Sequence, residues 1–327
     1  MSGASWLAPA KINLGLRVVG RRPDGYHLLE SLFVPLDLAD RLEITIEPSA
    51  EIEIEFALTG PAEGVPVGPE NLAGGAARRF LEEAGLSARV RIALEKRIPA
   101  GAGLGGGSSD AATVLRVLSQ HFANEISRNR LAAIALGLGA DVPFFLDPRP
   151  AWVTGIGEEI QPLDGIPALD LLLVTPAPPL ATAAVFRGFD AALTPGSPGR
   201  RMPALRDGPG RILIAALANE KADQAGLGAG SKAQQELTAL LANDLTPVAS
   251  RLHPGIDRVQ AELTRIGARA VAMSGSGPTM FGLFPSAEQA RTASQRGSFE
   301  TTDRVLVART CGAPAESSGA GSQWGVV

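Results

Sequence analysis

Residues 99–112 read PAGAGLGGGSSDAA, with five glycines in the seven positions 101–107. A strand or helix does not tolerate that density, because each interior glycine costs roughly 0.5–1 kcal/mol relative to alanine. The flanks show where the run sits. ARVRIALEKRIP (88–99) alternates Val90, Ile92 and Leu94, the period of a half-buried strand, and Pro99 ends it. SSDAATVLRVLSQHF (108–122) places Val114, Leu115, Leu118 and Phe122 on one side of a helix. The run therefore joins a strand to a helix N-terminus. There glycines let backbone N–H groups converge on an anion, and unpaired amides and the helix dipole favour negative charge. Ser108 and Ser109 add hydroxyls able to cap the helix, bind phosphate oxygens or ligate Mg²⁺. Asp110, in the first turn, favours the dipole and could help hold a metal. Capping explains one serine but not the glycines; anion binding explains both.

Two other phosphate loops fit poorly. Gly101, Gly103 and Gly106 match G-x-G-x-x-G, but a dinucleotide fold needs a second parallel strand ending in an acid about twenty residues on. Glu125 has no strand before it. A P-loop needs a lysine directly after its last glycine. None follows Gly107, and in GLGAGSK (226–232) the lysine comes one residue late.

The remaining pattern mixes strands and helices. INLGLRVV (12–19) reads as a strand, RRPDGYH (21–27) as a turn, and LEITIE and EIEIEF (51–56) as alternating strands. Glu51, Glu53 and Glu55 form a solvated strand face, and Arg17, Arg21 and Arg22 a solvated loop. Asn71 opens a helix that stops at Gly85; HPGIDRVQAELTRIG (253–267) is amphipathic; ARAVAMSGSGPTMFGLF (268–284) reads strand, glycine turn, strand. Residues 187–210, rich in Pro, Gly and Arg, read as a mobile loop, and the tail after 312 as disordered. The 327 residues suffice for two domains, expected at 1–155 and 156–312, with 313–327 as the tail.

Composition excludes several classes. Net charge is −4 with no long basic run, which gives nucleic acid or an anionic membrane no footprint. One cysteine and three scattered histidines leave no internal disulfide and no zinc cluster. No apolar run reaches the roughly 18 residues of a membrane span, and no secretory leader is read. A cytoplasmic protein without membrane or nucleic-acid partners is expected.

PAGAGLGGGSSDAA resembles the second motif of the GHMP kinases, small-molecule kinases related to galactokinase, homoserine kinase and mevalonate kinase. APAKINLGLRVVGRRPDGYHLLESLF (8–33), GADVPFF (139–145), NDLTPVA (243–249) and MSGSGPTMFGLF (273–284) extend the resemblance from about residue 8 to 309. The GLGGGSSDAA form, with the more specific DGYH and GADVPFF, is most similar to the branch that phosphorylates the 2-hydroxyl of 4-diphosphocytidyl-2-C-methyl-D-erythritol in the non-mevalonate isoprenoid route; the alternatives are a GHMP kinase for another small alcohol, of the homoserine or mevalonate type, and a non-catalytic ligand-binding relative.

The resemblance implies an α+β two-domain kinase, with a ribosomal protein S5 domain 2-like N-terminal domain and an α/β C-terminal domain. It also implies ATP and Mg²⁺ as cofactors and a small-molecule alcohol as partner. The ATP cradle would be Pro99, Ala100, Gly101, Ala102, Gly103, Leu104, Gly105, Gly106, Gly107, Ser108 and Ser109, with Asn71 and Lys96 near the adenine. Asp141 would take the substrate proton, and Lys11 beside it would keep that carboxylate ionised. Asn13, on the same strand face as Lys11, would hold a substrate hydroxyl. Tyr26 and Phe186 would sandwich the cytosine, His27 would hydrogen-bond it, and Phe33 would close the pocket. No second metal-binding carboxylate is evident, and the protein ligands of Mg²⁺ stay unassigned.

Overall fold

The computed structural model describes residues 5–192, except 62, 69 and 124, and residues 232–311. Two long strands start it, β1 (Ser5–Arg21) and β2 (His27–Pro48), paired antiparallel along nearly their whole length across the RRPDGY turn. The far end of β2 pairs with β4 (Ala88–Glu95), which takes β3 (Glu53–Thr59) in parallel. The near end pairs with β5 (Ala151–Thr154), which turns back into β6 (Glu159–Pro162). These six strands form one mixed sheet. A second, antiparallel sheet has the order β10 (Arg304–Arg309), β7 (Asp170–Thr175), β9 (Met280–Phe284), β8 (Ala270–Met273).

Helices cover both sheets. On the first lie α1 (Leu72–Ala84) and α2 (Gly106–His121), with α3 (Arg128–Leu138) packed against both helices. Asn71 caps α1 by accepting from the Ala73 amide, and Gly85, at φ +66°, ends it. Phe80, Phe144 and Phe145 are fully buried beneath these helices, each contributing roughly 1.5–3 kcal/mol by burial. The second half adds α4 (Thr182–Ala192), α5 (Lys232–Leu241), α6 (Thr246–Leu252), α7 (Gly255–Arg265) and α8 (Ala287–Arg296). Between the sheets, Ile12, Leu14, Leu32 and Val34 of the first share one apolar cluster with Leu171, Leu173 and Phe281 of the second. No helix among the described residues is long and apolar enough to cross a membrane.

Several sequence expectations need correction. Residues 187–192 belong to α4 rather than to a loop; the rest of the 187–210 segment and the tail 313–327 lie outside the described residues. Arg17 is no loop residue. It is buried in β1, where it donates to Asp244 Oδ1 at 2.7 Å and to the Ala239 carbonyl at 2.9 Å. Period-2 alternation cannot distinguish a strand's solvent edge from one that a distant helix covers. The glutamate face is met in part: Glu53 and Glu55 of β3 meet Arg89 and Arg91 of β4 on the outer surface, while Glu51 lies in the bend before the strand.

Candidate active site

The glycine run lines a cleft of about 500 Å³ between the two halves. Its helix begins earlier than the serines suggest. Gly105, at φ +73°, is the N-cap of α2 and no side chain caps the helix. The first helical bond runs from the Ser109 amide to the Gly105 carbonyl at 2.9 Å. The amides of Gly106, Gly107 and Ser108 therefore have no carbonyl within the helix, and all three residues line the cleft. Ser109 does not: it is fully buried, its hydroxyl unpartnered among the described residues. Capping by either serine is thus overturned, and Ser109, unlike Ser108, is not part of the cleft lining.

Some of the glycines answer to the protein's own packing. A Cβ on Gly103, at φ +74°, would lie 2.2 Å from the Ser274 carbonyl oxygen. The SGSG turn packs directly on this loop, and Ser274 Oγ donates to the Gly103 carbonyl at 3.0 Å. A Cβ on Gly105 would lie 2.8 Å from the Phe145 ring and 3.2 Å from Lys11 Cγ. Asn243 of the NDL segment holds the turn from behind, donating to the Met273 and Gly275 carbonyls at 3.0 and 2.7 Å.

Lys11 and Asp141, far apart in sequence, meet here: Nζ lies 3.3 Å from Oδ2, with Lys11 buried and the Asp141 side chain 32% exposed to the cleft. Asp141 is positioned by the turn after α3 and the 3₁₀ turn Pro143–Leu146. Lys11 is held on three sides. Its amide donates to the Leu104 carbonyl of the glycine run at 2.9 Å. Its ammonium sits 4.5 Å from the Phe33 ring centroid and donates to Asn13 Oδ1 at 2.7 Å. Asn13 Nδ2 in turn donates to Ser31 Oγ at 2.8 Å, and Ser31 to the Gly15 carbonyl at 2.6 Å. This chain fixes which way the Asn13 amide faces.

Asn71 and Lys96 also line the cleft, but Lys96 is no surface charge. It is buried with its ammonium on Asp40 and, at 2.8 Å, on Asp110. Asp40 Oδ1 also accepts from the Arg97 and Ile98 amides at 2.6 and 2.9 Å, which pins the strand's exit into the glycine run. Burial, only partly offset by Lys96, pushes the Asp110 carboxyl up to about 8. Asp110 is therefore the partner of Lys96 at its Oδ2, while Oδ1 has no hydrogen-bond partner among the described residues.

Phe186, on α4, lines the far end of the cleft with Thr182 and Leu245. Its ring stacks on His27, centroids 4.9 Å apart at 23°. Tyr26, on the turn before β2, is 58% exposed and has no ring contact with Phe186. The structure thus gathers Lys11, Asn13, Phe33, Asp141, Phe186 and the 99–108 run in one cleft, stacks His27 on Phe186, and leaves Tyr26 outside. Sequence reasoning missed Ser31, Asp40, Asn243 and Ser274; only the NDL and SGSG motifs gave a signal for the last two.

Comparison with known proteins agrees with this geometry. The GHMP kinases N terminal domain model matches residues 71–147, and the GHMP kinases C terminal model residues 213–299. The 4-diphosphocytidyl-2-C-methyl-D-erythritol kinase of Geobacter metallireducens is 39% identical over 295 residues, 90% of this chain and 94% of its own. That of Anaeromyxobacter dehalogenans is 43% identical over 290 residues, covering 88% and 82%. A crystal structure of 4-(cytidine 5'-diphospho)-2C-methyl-D-erythritol kinase superposes with a TM-score of 0.72 at 38% identity, covering 94% of this chain and 100% of that one. A homoserine kinase from Cytophaga hutchinsonii, at 20% identity and a TM-score of 0.63 over 95% of both chains, shares the fold.

Proposed function

The chain belongs to the GHMP kinase family, among its 4-diphosphocytidyl-2-C-methyl-D-erythritol kinases, and from that premise we propose that its cleft moves the γ-phosphoryl group of ATP to the 2-hydroxyl of 4-diphosphocytidyl-2-C-methyl-D-erythritol. The observation that carries the site assignment is the Lys11–Asp141 pair, 3.3 Å apart beside the open first turn of α2. Phosphoryl transfer needs positioning and charge stabilisation more than covalent help, and the cleft supplies both.

The amides of Gly106, Gly107 and Ser108 hold phosphate oxygens, with the positive end of α2 behind them. The Asp141 carboxylate takes the proton of the 2-hydroxyl. The freed oxygen bonds to the γ-phosphorus as the bond to the β–γ bridging oxygen breaks, and ADP leaves. The Lys11 ammonium offsets the charge that grows on the attacking oxygen. Asn13, locked by Lys11 and Ser31, orients the alcohol. Asn71 and Lys96 border the adenine end, and Tyr26, His27 and Phe186 receive the cytosine, Tyr26 closing over it from the exposed turn.

Among the described residues no group of three His, Cys, Asp or Glu side chains converges on a metal, and Asp110 pairs with Lys96 through Oδ2. Mg²⁺ would enter on the polyphosphate of MgATP, since this ion is usually held by substrate phosphates together with only one or two protein oxygens. The β5–β6 hairpin straddles residue 155 yet pairs within the first sheet, which supports a division between the two working halves after Pro162.

The aromatic end formed by His27 and Phe186 favours a base-bearing substrate over a bare alcohol such as homoserine or mevalonate. An ADP-release assay with the three alcohols tests this. Turnover of the cytidyl substrate alone is expected; turnover of homoserine or mevalonate without it would overturn the reading.

A further inference from the structure

His27 is almost wholly buried, and its Nε2 lies 2.6 Å from Asp190 Oδ1 on α4. Phe189 meets the edge of the ring with centroids 6.0 Å apart. Arg21 Nη2 approaches the other Asp190 oxygen at 3.5 Å. A carboxylate only accepts hydrogen bonds, so the proton of this contact sits on Nε2. In the neutral ring Nδ1 is then a lone-pair acceptor, because the bond made by one ring nitrogen decides the state of the other. The Asp190 contact engages Nε2 and leaves Nδ1 unused.

We infer that Asp190 decides which pyrimidine the site accepts. By holding the Nε2–H tautomer of His27 it leaves Nδ1 to accept from an exocyclic amine, selecting a 4-amino-2-oxopyrimidine over a 2,4-dioxopyrimidine. The inference rests on the cytidyl-diphosphate reading above and adds the residue behind its base choice. The 4.9 Å centroid separation of His27 and Phe186 is that of an offset stack, so part of the Phe186 face stays uncovered. A base stacked there lies alongside the imidazole, edge to edge. A 4-amino group donates to Nδ1; a 4-carbonyl sets an oxygen lone pair against a nitrogen lone pair. Such polar mismatches discriminate far better than apolar packing. Asp190 acts through His27, as a positioning residue.

The test compares kcat/KM for the cytidyl substrate and its uridyl analogue, each with ATP, in wild type, Asp190→Asn, Asp190→Glu and Arg21→Gln. Asparagine has the same shape but can donate as well as accept, so it releases the tautomer. Glutamate keeps an acceptor-only partner, and Arg21→Gln removes the ion pair alone. Asp190→Asn is expected to reduce the cytidyl preference by about 10-fold or more, through KM for the cytidyl substrate, with KM for ATP unchanged. Glutamate and Arg21→Gln retain most of the preference. An unchanged preference in Asp190→Asn, or an equal loss in Arg21→Gln, overturns the inference. The tautomer is also read without turnover, from imidazole ¹⁵N shifts of the ligand-free protein, whose three histidines are readily assigned. An Nε2-protonated ring in wild type that persists in Asp190→Asn overturns it equally. A wild-type enzyme with that tautomer but no cytidyl turnover would count against the proposed function instead.

Discussion

Asp141 contributes a carboxylate that is only part-exposed and already in contact with a buried ammonium. Replacing it with asparagine keeps the shape and removes the proton acceptor. Turnover is expected to fall by about 10²–10⁴-fold, while ATP affinity, read by calorimetry, stays near wild type; undiminished turnover would remove Asp141 from this role. Tyr26→Ala is expected to raise KM for the cytidyl substrate by about 10–100-fold, since base–aromatic stacking is worth about 1–3 kcal/mol. Asp110 gives a prediction in pH. Its carboxyl sits at about 8 in the folded protein, against about 3.9 in an unfolded chain. The folded state therefore holds the extra proton between those values, and this contribution to stability is lost as pH rises toward and through 8. Melting curves from pH 5 to 9 are expected to show that loss in wild type and not in Asp110→Asn. Lys11 and Asp141 stand out in the sequence as lone charges in apolar motifs, but the roles proposed for them come from the family resemblance. Asp40 and Ser31 do not stand out, because a buried polar residue far along the chain carries no local sign of its partner.

The loop between β4 and α2 shows how elements share a requirement. Its glycines suggested phosphate approach, but Gly103 is also demanded by the Ser274 carbonyl of the SGSG turn. Gly107 is different: a Cβ there would meet only Leu72 Cδ1 at 3.5 Å. Gly103→Ala is expected to destabilise the fold by at least about 1–3 kcal/mol through strain alone, seen as a lowered Tm. Gly107→Ala is expected to keep Tm and raise KM for ATP by about 10-fold, near 1.4 kcal/mol. Equal melting of the two variants would show that packing does not separate them. Helix limits such as Asn71 and Gly85 were readable from capping chemistry. The start of α2 was not, because Gly105 caps it by backbone conformation and the serines that mimic a cap lie inside it.

Across the whole molecule, the halves are joined by more than the cleft. Leu16 of β1 bridges to Asn243, Leu36 of β2 to Thr310, and the apolar cluster between the sheets draws on both. Calorimetry is therefore expected to show one cooperative transition, with calorimetric and van't Hoff enthalpies equal; two separated peaks would mean that the cluster does not couple the halves. Individual strands and helices could be read from periodicity and the α+β class from the family resemblance, while the packing of sheet on sheet could not, since period-2 strands say which residues are buried and not against what. The central claim is that the open amides of α2 grip the polyphosphate while Asp141 addresses the alcohol beside it. A crystal structure with a non-hydrolysable ATP analogue and the cytidyl substrate tests it most directly. The account predicts phosphate oxygens within hydrogen-bond distance of the Gly106, Gly107 and Ser108 amides and the 2-hydroxyl on Asp141; a polyphosphate bound away from that first turn, or a 2-hydroxyl out of reach of Asp141, would contradict it.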